Sequence, residues 1–189
     1  MDRTDTELLT AHLRGDAGAF RELVDRHART LWSIARRSLA DERDAAEAVQ
    51  DTLVKAHQHA MRFRGEASVR GWLVSILVNT CHDRYRQAAR RPRSSGRDVD
   101  LAQLPSPRDP ISHHELRLDL QDALAEIPFE QRLVVVLTNM HGYRTEEVAA
   151  MLGISVGTVK SRGGRGRARL LRLLSERERP ADRVTGGRS

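Results

Sequence analysis

The segment from residue 88 to residue 112, AARRPRSSGRDVDLAQLPSPRDPIS, forbids one continuous fold for this chain. Prolines stand at positions 92, 105, 107 and 110. Each lacks a backbone N–H and pushes the residue before it out of the helical region. No helical or strand period survives between them, so residues 91–112 are predicted to be a linker. About 90 residues precede it and about 65 follow, each enough only for a small domain. The end from Ser175, with Pro180 and the closing Thr-Gly-Gly-Arg-Ser, has little to bury and is expected to be disordered. The expected layout is therefore a domain over 1–90, a linker over 91–112, a domain over 113–174 and a tail over 175–189.

The material for those domains favours helices. Of 189 residues, 39% are hydrophobic and only 4% aromatic, so the core must come mostly from Leu, Val, Ala and Ile. A β-sandwich would want more β-branched and aromatic residues. The expected class is all-α, as two small helical domains joined by a flexible linker. No apolar run is long enough to span a bilayer, so no direct membrane insertion is expected. The opening MDRTDTELL has neither a basic nor an apolar leader region, which points to a cytoplasmic protein.

One cysteine, Cys81, excludes an intrachain disulfide and a cysteine-based zinc site. A small buried residue is the expected role for it. The eight histidines close no metal site. His57 and His59 are two apart and do not share a helix face, while His113 and His114 are adjacent. With no phosphate-cradling loop and no nucleophile–base signature either, no metal, cofactor or catalysis is expected in this chain.

Charge is unevenly spread. The total is +6, yet residues 115–147 carry 3 basic against 7 acidic groups. Residues 160–172 then hold Lys160, Arg162, Arg165, Arg167, Arg169 and Arg172 with no acid among them. A solvated helix face would normally interleave the two signs at i,i+4. A block of one sign reads as an element that binds a polyanion.

Helical spacing is legible on both sides of the linker. After Asp16, a plausible N-cap, Phe20, Leu23, Val24, His27, Leu31, Ile34 and Leu39 fall on one face. A second helix is predicted from about Asp44, with Val49, Leu53, Ala56 and Ala60 inward and Glu47, Gln50, Asp51 and Lys55 outward. A third is predicted from about Val69 to Arg86, with Leu73, Ile76, Leu77 and Thr80 as its buried stripe. Trp72, Ser75, Asn79, His82, Asp83 and Arg86 share its other side. In the second part Ser112-His-His-Glu115 reads as a capping box before Leu116, Leu120, Ala123 and Ile127. The run Leu133–Leu137 is a buried stretch, a core helix more readily than a strand.

Residues 145–164, TEEVAAMLGISVGTVKSRGG, carry the most informative pattern. Thr145 and Ser155 can cap two successive helices, and Ala149 is small where those helices cross. Gly153 occupies the corner, where a positive φ is needed. Ile154 and Val159 can pack back on Val148 and Leu152. This is a helix-turn-helix pattern, in which the second helix enters the major groove. The basic block continues that helix, so charge and motif support one reading. Gly163, Gly164 and Gly166 each disfavour helix by roughly 1 kcal/mol, so the helix is expected to fray beyond Arg162 in the absence of DNA.

The segment VGTVKSR with Arg165, Arg167 and Arg169 resembles region 4 of the extracytoplasmic-function (ECF) sigma factors. DAAEAVQDTL at 44–53 is similar to their region 2 signature, and FRGEASVRGWLVSILVNTCHDRYR at 63–86 to their promoter-melting segment. RGRARL at 165–170 resembles the SigM-like branch, and the arginine-rich composition suits actinobacterial members. The order region 2, linker, region 4 covers about residues 5–174.

The resemblance implies a factor that binds core RNA polymerase and directs initiation at promoter DNA. Glu47, Gln50, Asp51, Thr52 and Lys55 would bind the polymerase. Phe63, Arg64, Trp72, Asn79, Asp83, Arg84 and Arg86 would read melted −10 DNA, with stacking surfaces, an amide edge and phosphate contacts. Arg144, Thr158, Lys160, Ser161, Arg162, Arg165 and Arg169 would face the −35 duplex. An anti-sigma factor is the further partner implied, and a monomer within the holoenzyme. Two other readings are weighed: a stand-alone helix-turn-helix regulator, which would need a pocket or a symmetric apolar face in residues 1–91, and a metal-dependent nuclease, which would need convergent carboxylates, whereas Glu47 and Asp51 fall on the docking face.

Overall fold

The computed structural model describes residues 3–65, 68–90 and 111–177, with side chains of 111–117 left aside. Eight α-helices follow in order: α1 Asp5–Leu13, α2 Ala17–Ser38, α3 Glu42–His59, α4 Val69–Arg90, α5 Ile111–Ala125, α6 Phe129–Val135, α7 Thr145–Leu152 and α8 Val156–Arg177. A 3-10 turn, Ala60–Arg62, extends α3, and a wider π turn, Val136–Met140, extends α6. No strand occurs among the described residues. The all-α expectation holds, and the run Leu133–Leu137 is helical.

Local chemistry sets the helix starts. Asp16 accepts from the N–H groups of Gly18 and Ala19, and Asp41 from that of Asp44. Ser68 opens α4 by accepting from Gly71 N–H. Helix α1 has its own capping box, Thr4 with Glu7, whose spacing is present in the sequence. The proposed box at Ser112–Glu115 involves side chains outside those described.

In the first half α2, α3 and α4 pack on one another. Leu23, Leu31, Ile34, Leu73, Val74, Leu77 and Val78 are all but excluded from solvent. The packed face of α3 is made of Ala45, Ala48, Thr52 and Ala56 and is continued by Ala60 of the 3-10 turn, which permits a close approach to α4. Val49 and Leu53, expected inside, are half-buried. Cys81 is fully buried in this core, and burial pushes its thiol up to about 12.

In the second half α6 lies beneath α8, with Leu133, Val134, Val135, Val136 and Leu137 buried. The expected fraying of α8 is not what the structure has: the helix is continuous to Arg177, three residues into the stretch read as tail. The reason is packing. Gly163 and Gly166 are buried where α8 crosses α6. A Cβ at Gly166 would stand 2.7 Å from Val135 Cγ2 and 3.0 Å from the Gln131 carbonyl oxygen. A Cβ at Gly163 would stand 3.3 Å from Val134 Cγ1. These glycines let two backbones approach, and burial of the valine row offsets their poor helix propensity.

The two halves touch along a seam. Tyr85 of α4 stacks on Phe129 of α6. Ser33 Oγ lies 3.3 Å from His141 Nε2, and the Arg70 guanidinium sits over the Tyr143 ring at 5.5 Å. Gln121 donates to the Arg36 carbonyl at 2.5 Å.

Candidate nucleic-acid interface

The helix-turn-helix is built as its residues demand. Gly153 has φ +62°, the left-handed corner conformation that a side chain would strain. Ser155 Oγ accepts from the Thr158 N–H at 3.1 Å and starts α8. The start of α7 differs from expectation. Arg144 is its N-cap and Thr145 the first helical residue, and the Arg144 N–H donates to Glu147 Oε2 at 2.7 Å. Val148, Ala149 and Val159 are buried, with Leu152 and Ile154 packed against them.

Because Val159, Gly163, Gly166 and Leu173 take the packed side of α8, the opposite side is left to solvent. Lys160, Ser161, Arg165, Arg169 and Arg172 are exposed along α8, and Arg167, also exposed, reaches back beside Gly163. Ser161 Oγ donates to the Thr158 carbonyl, and Arg165 Nε to that of Ser161 at 3.3 Å, so both follow the helix axis. Arg144 is also exposed. Thr158 is half-buried, its hydroxyl 2.9 Å from Ser155 Oγ. Arg162 departs from the group: its Nη1 donates to Glu130 Oε2 at 2.8 Å, and the side chain is only 25% exposed. Glu130 Oε1 is 2.8 Å from His82 Nε2, so this carboxylate ties α8 to α4. Arg167 and Arg172 belong to the exposed stripe although the sequence reading left them out of the duplex set.

The residues assigned to melted DNA lie near the start and along one side of α4. Phe63 and Trp72 are half-buried and pack on each other as a tilted pair, centroids 5.4 Å apart and planes 55° from parallel, so part of each ring is taken up by structure. Asn79 is exposed, with its amide nitrogen 3.0 Å from the Ser75 carbonyl, and Arg64, Asp83 and Arg86 are exposed as well. Arg84 alone is drawn inward, toward α3.

On α3 the residues assigned to a protein partner separate. Gln50 is exposed, and Glu47 and Asp51 are partly so. Thr52 is fully buried and donates to the Ala48 carbonyl at 2.7 Å, so it lies off that face altogether. Lys55 is half-buried and reaches back to Thr80 Oγ1 at 3.2 Å. Glu47 is held below the usual glutamate range, chiefly by the hydrogen bond from Arg43 and then by Arg84. Glu47 and Asp51 are both paired with arginine, and no group of three metal-binding side chains occurs among the described residues.

Comparisons with known proteins agree with this geometry. Residues 23–91 match the Sigma-70 region 2 family and residues 117–170 the Sigma-70 region 4 family. The ECF RNA polymerase sigma factor SigM of Mycobacterium tuberculosis is 43% identical over 173 residues, covering 92% of this chain and 86% of that one. The ECF RNA polymerase sigma-E factor of Salmonella typhimurium is 31% identical, covering 87% and 91%. Among solved structures, CnrH in complex with the cytosolic domain of CnrY matches with TM-score 0.67 and 32% identity, over 91% of this chain and 97% of that one. The sigma factor RpoE of Bartonella quintana, in complex with the anti-sigma factor NepR, matches with TM-score 0.67 and 28% identity over 82% and 96%. No described helix is long and apolar enough to cross a membrane. Similarity of this extent, over both halves and in one order, leaves a single assignment: the chain belongs to the ECF RNA polymerase sigma factors and directs transcription initiation.

Proposed function

We propose that residues 1–90 bind core polymerase and melted −10 DNA, residues 113–174 read the −35 duplex, and residues 91–112 link them. The observation that carries this is the exposed Lys160–Arg172 stripe on the second helix of a helix-turn-helix, opposite a packed glycine–valine face. Its five exposed cations, Lys160, Arg165, Arg167, Arg169 and Arg172, supply the phosphate attraction, and Lys160, Ser161 and Arg165 near the start of α8 supply base-edge contacts. Arg144 and Arg169 take phosphates.

On the other half, Asn79 offers both a donor and an acceptor to an unstacked base, and Asp83 accepts from an exocyclic amine. The free faces of Phe63 and Trp72 stack bases, and Arg64 and Arg86 hold the strand. Gln50, Glu47 and Asp51 meet a basic surface of the polymerase. The chain itself carries no chemistry, which the polymerase supplies, and it works in the cytoplasm as a monomer within the holoenzyme. An anti-sigma factor holds it inactive, a reading supported by the structural relative RpoE, which was solved bound to the anti-sigma factor NepR.

Run-off transcription with purified core polymerase tests this reading. A promoter-dependent transcript is expected only when the protein is present. Tight promoter binding without polymerase, and no transcript with it, would favour the stand-alone regulator.

A further inference from the structure

Two surfaces with separate tasks share one guanidinium. Glu47 and Asp51 stand one turn apart on α3, and both give an oxygen to Arg84 of α4. Arg84 Nη1 donates to Glu47 Oε2, and Nη2 to Asp51 Oδ2 at 2.5 Å. Arg43 Nε reaches the other Glu47 oxygen at 3.0 Å. Arg84 is 17% exposed, whereas its two acceptors are 35% and 43% exposed. The carboxylates thus present their outer edges to solvent, and the arginine lies behind them.

That arrangement makes the two tasks exclusive. A guanidinium between two carboxylates has its field cancelled and its fork filled, so it has little left for a phosphate. A cationic partner approaching Glu47 and Asp51 from solvent competes with Arg84 for the same oxygens. We propose that Arg84 is exchanged on assembly: the α3 carboxylates hold it in the free protein, and a basic polymerase surface that takes those carboxylates releases it to the −10 strand. Assembly is then coupled to DNA contact at α4, and the coupling is reciprocal, since DNA that takes Arg84 frees the carboxylates for the polymerase. The inference rests on the function proposed above and adds to it a residue that changes partners.

Fluorescence anisotropy with a labelled single-stranded −10 oligonucleotide tests it, using the full chain free and bound to core polymerase. In the free protein Glu47→Gln with Asp51→Asn should tighten oligonucleotide binding by about fivefold or more. Adding Arg84→Gln to that pair should remove most of the gain, which separates release of Arg84 from a general loss of negative charge. Arg84→Gln alone should cost the holoenzyme about fivefold more than it costs the free protein. Arg84→Lys keeps the charge but cannot bridge both carboxylates, and should also tighten binding by the free protein. Circular dichroism selects the variants that fold, and Arg84→Lys serves if the others do not. Equal losses for Arg84→Gln in free protein and holoenzyme would overturn the exchange, as would a gain that survives in the triple variant or unchanged binding for Arg84→Lys. Failure of the wild type to bind core or give a transcript would instead overturn the functional reading.

Discussion

The ring of Tyr85 lies flat against that of Phe129, with centroids 4.3 Å apart and planes 9° from parallel. The two residues stand on opposite sides of the linker, on α4 and α6. Their contact therefore joins the halves rather than stabilising either one. Beside it Arg132 is buried, with its guanidinium 5.9 Å from the Phe129 ring and its Nη1 donating to the Leu124 carbonyl at 3.3 Å.

Removing the stack should loosen the seam and spare the halves. An aromatic pair contributes about 0.5–1.5 kcal/mol beyond burial. Tyr85→Ala should lengthen and broaden the distance between fluorophores on α3 and α8, with helix content unchanged. An unaltered distance distribution would show that other contacts hold the seam.

The glycines of α8 should respond in opposite directions. Gly166→Ala forces a methyl into Val135 and the Gln131 carbonyl, and should destabilise by about 1–3 kcal/mol. At Gly164 a Cβ meets nothing within 4 Å, so Gly164→Ala should stabilise by up to about 1 kcal/mol through helix propensity. Urea denaturation of the two variants checks both signs.

Acid should open the seam. Burial first, then Arg37 and Arg70, hold the His141 imidazole below its usual range. A base with a lowered pKa in the closed state binds protons better when exposed. Its contribution is therefore fully present above the ordinary imidazole value of about 6.5 and is lost as pH falls from there through the lowered value of the closed state. Interdomain distance should increase between pH 7.5 and 5.5, and His141→Gln should flatten that response.

Cys81 should report global unfolding. With its thiol at about 12 and no solvent access, it should resist a maleimide at pH 8 in native buffer and react at once in denaturant. Rapid native labelling would reveal local opening of α4.

Neutralising the exposed stripe should act mainly through phosphates. Arg169→Ala should weaken −35 duplex binding for all sequences and lower the salt slope by about 1. Lys160→Ala or Arg165→Ala should in addition alter sequence preference, by about 1–3 kcal/mol at one base pair. Binding isotherms at several salt concentrations separate the two behaviours.

Most of the architecture was legible because helices announce themselves locally. Periodicity places α2, α3 and α4, and the Gly153 corner with the Ser155 cap places the α7–α8 junction, while the cap of α7 is Arg144 and not Thr145. The sequence does not say which charges face each other across elements. Arg84 and Arg162 look like any other members of basic runs until α3 and α6 bring carboxylates to them. Thr52 reads as polar, yet a hydroxyl that donates to the carbonyl one turn back is as compatible with a core as alanine. The meaning of Gly163 and Gly166 depended on α6: the same residue is a breaker in an isolated helix and a contact surface at a crossing.

The seam sets a length scale. Helices α2 and α8, the longest rods described together with α4, are each about 33 Å from end to end. Promoter elements centred near −10 and −35 are about 25 base pairs apart, roughly 85 Å of duplex at about 3.4 Å per pair. That span is more than twice the length of either rod. If one molecule engages both elements with a half at each end, the stack at Tyr85 and Phe129 has to separate, and its free energy becomes a toll on promoter engagement.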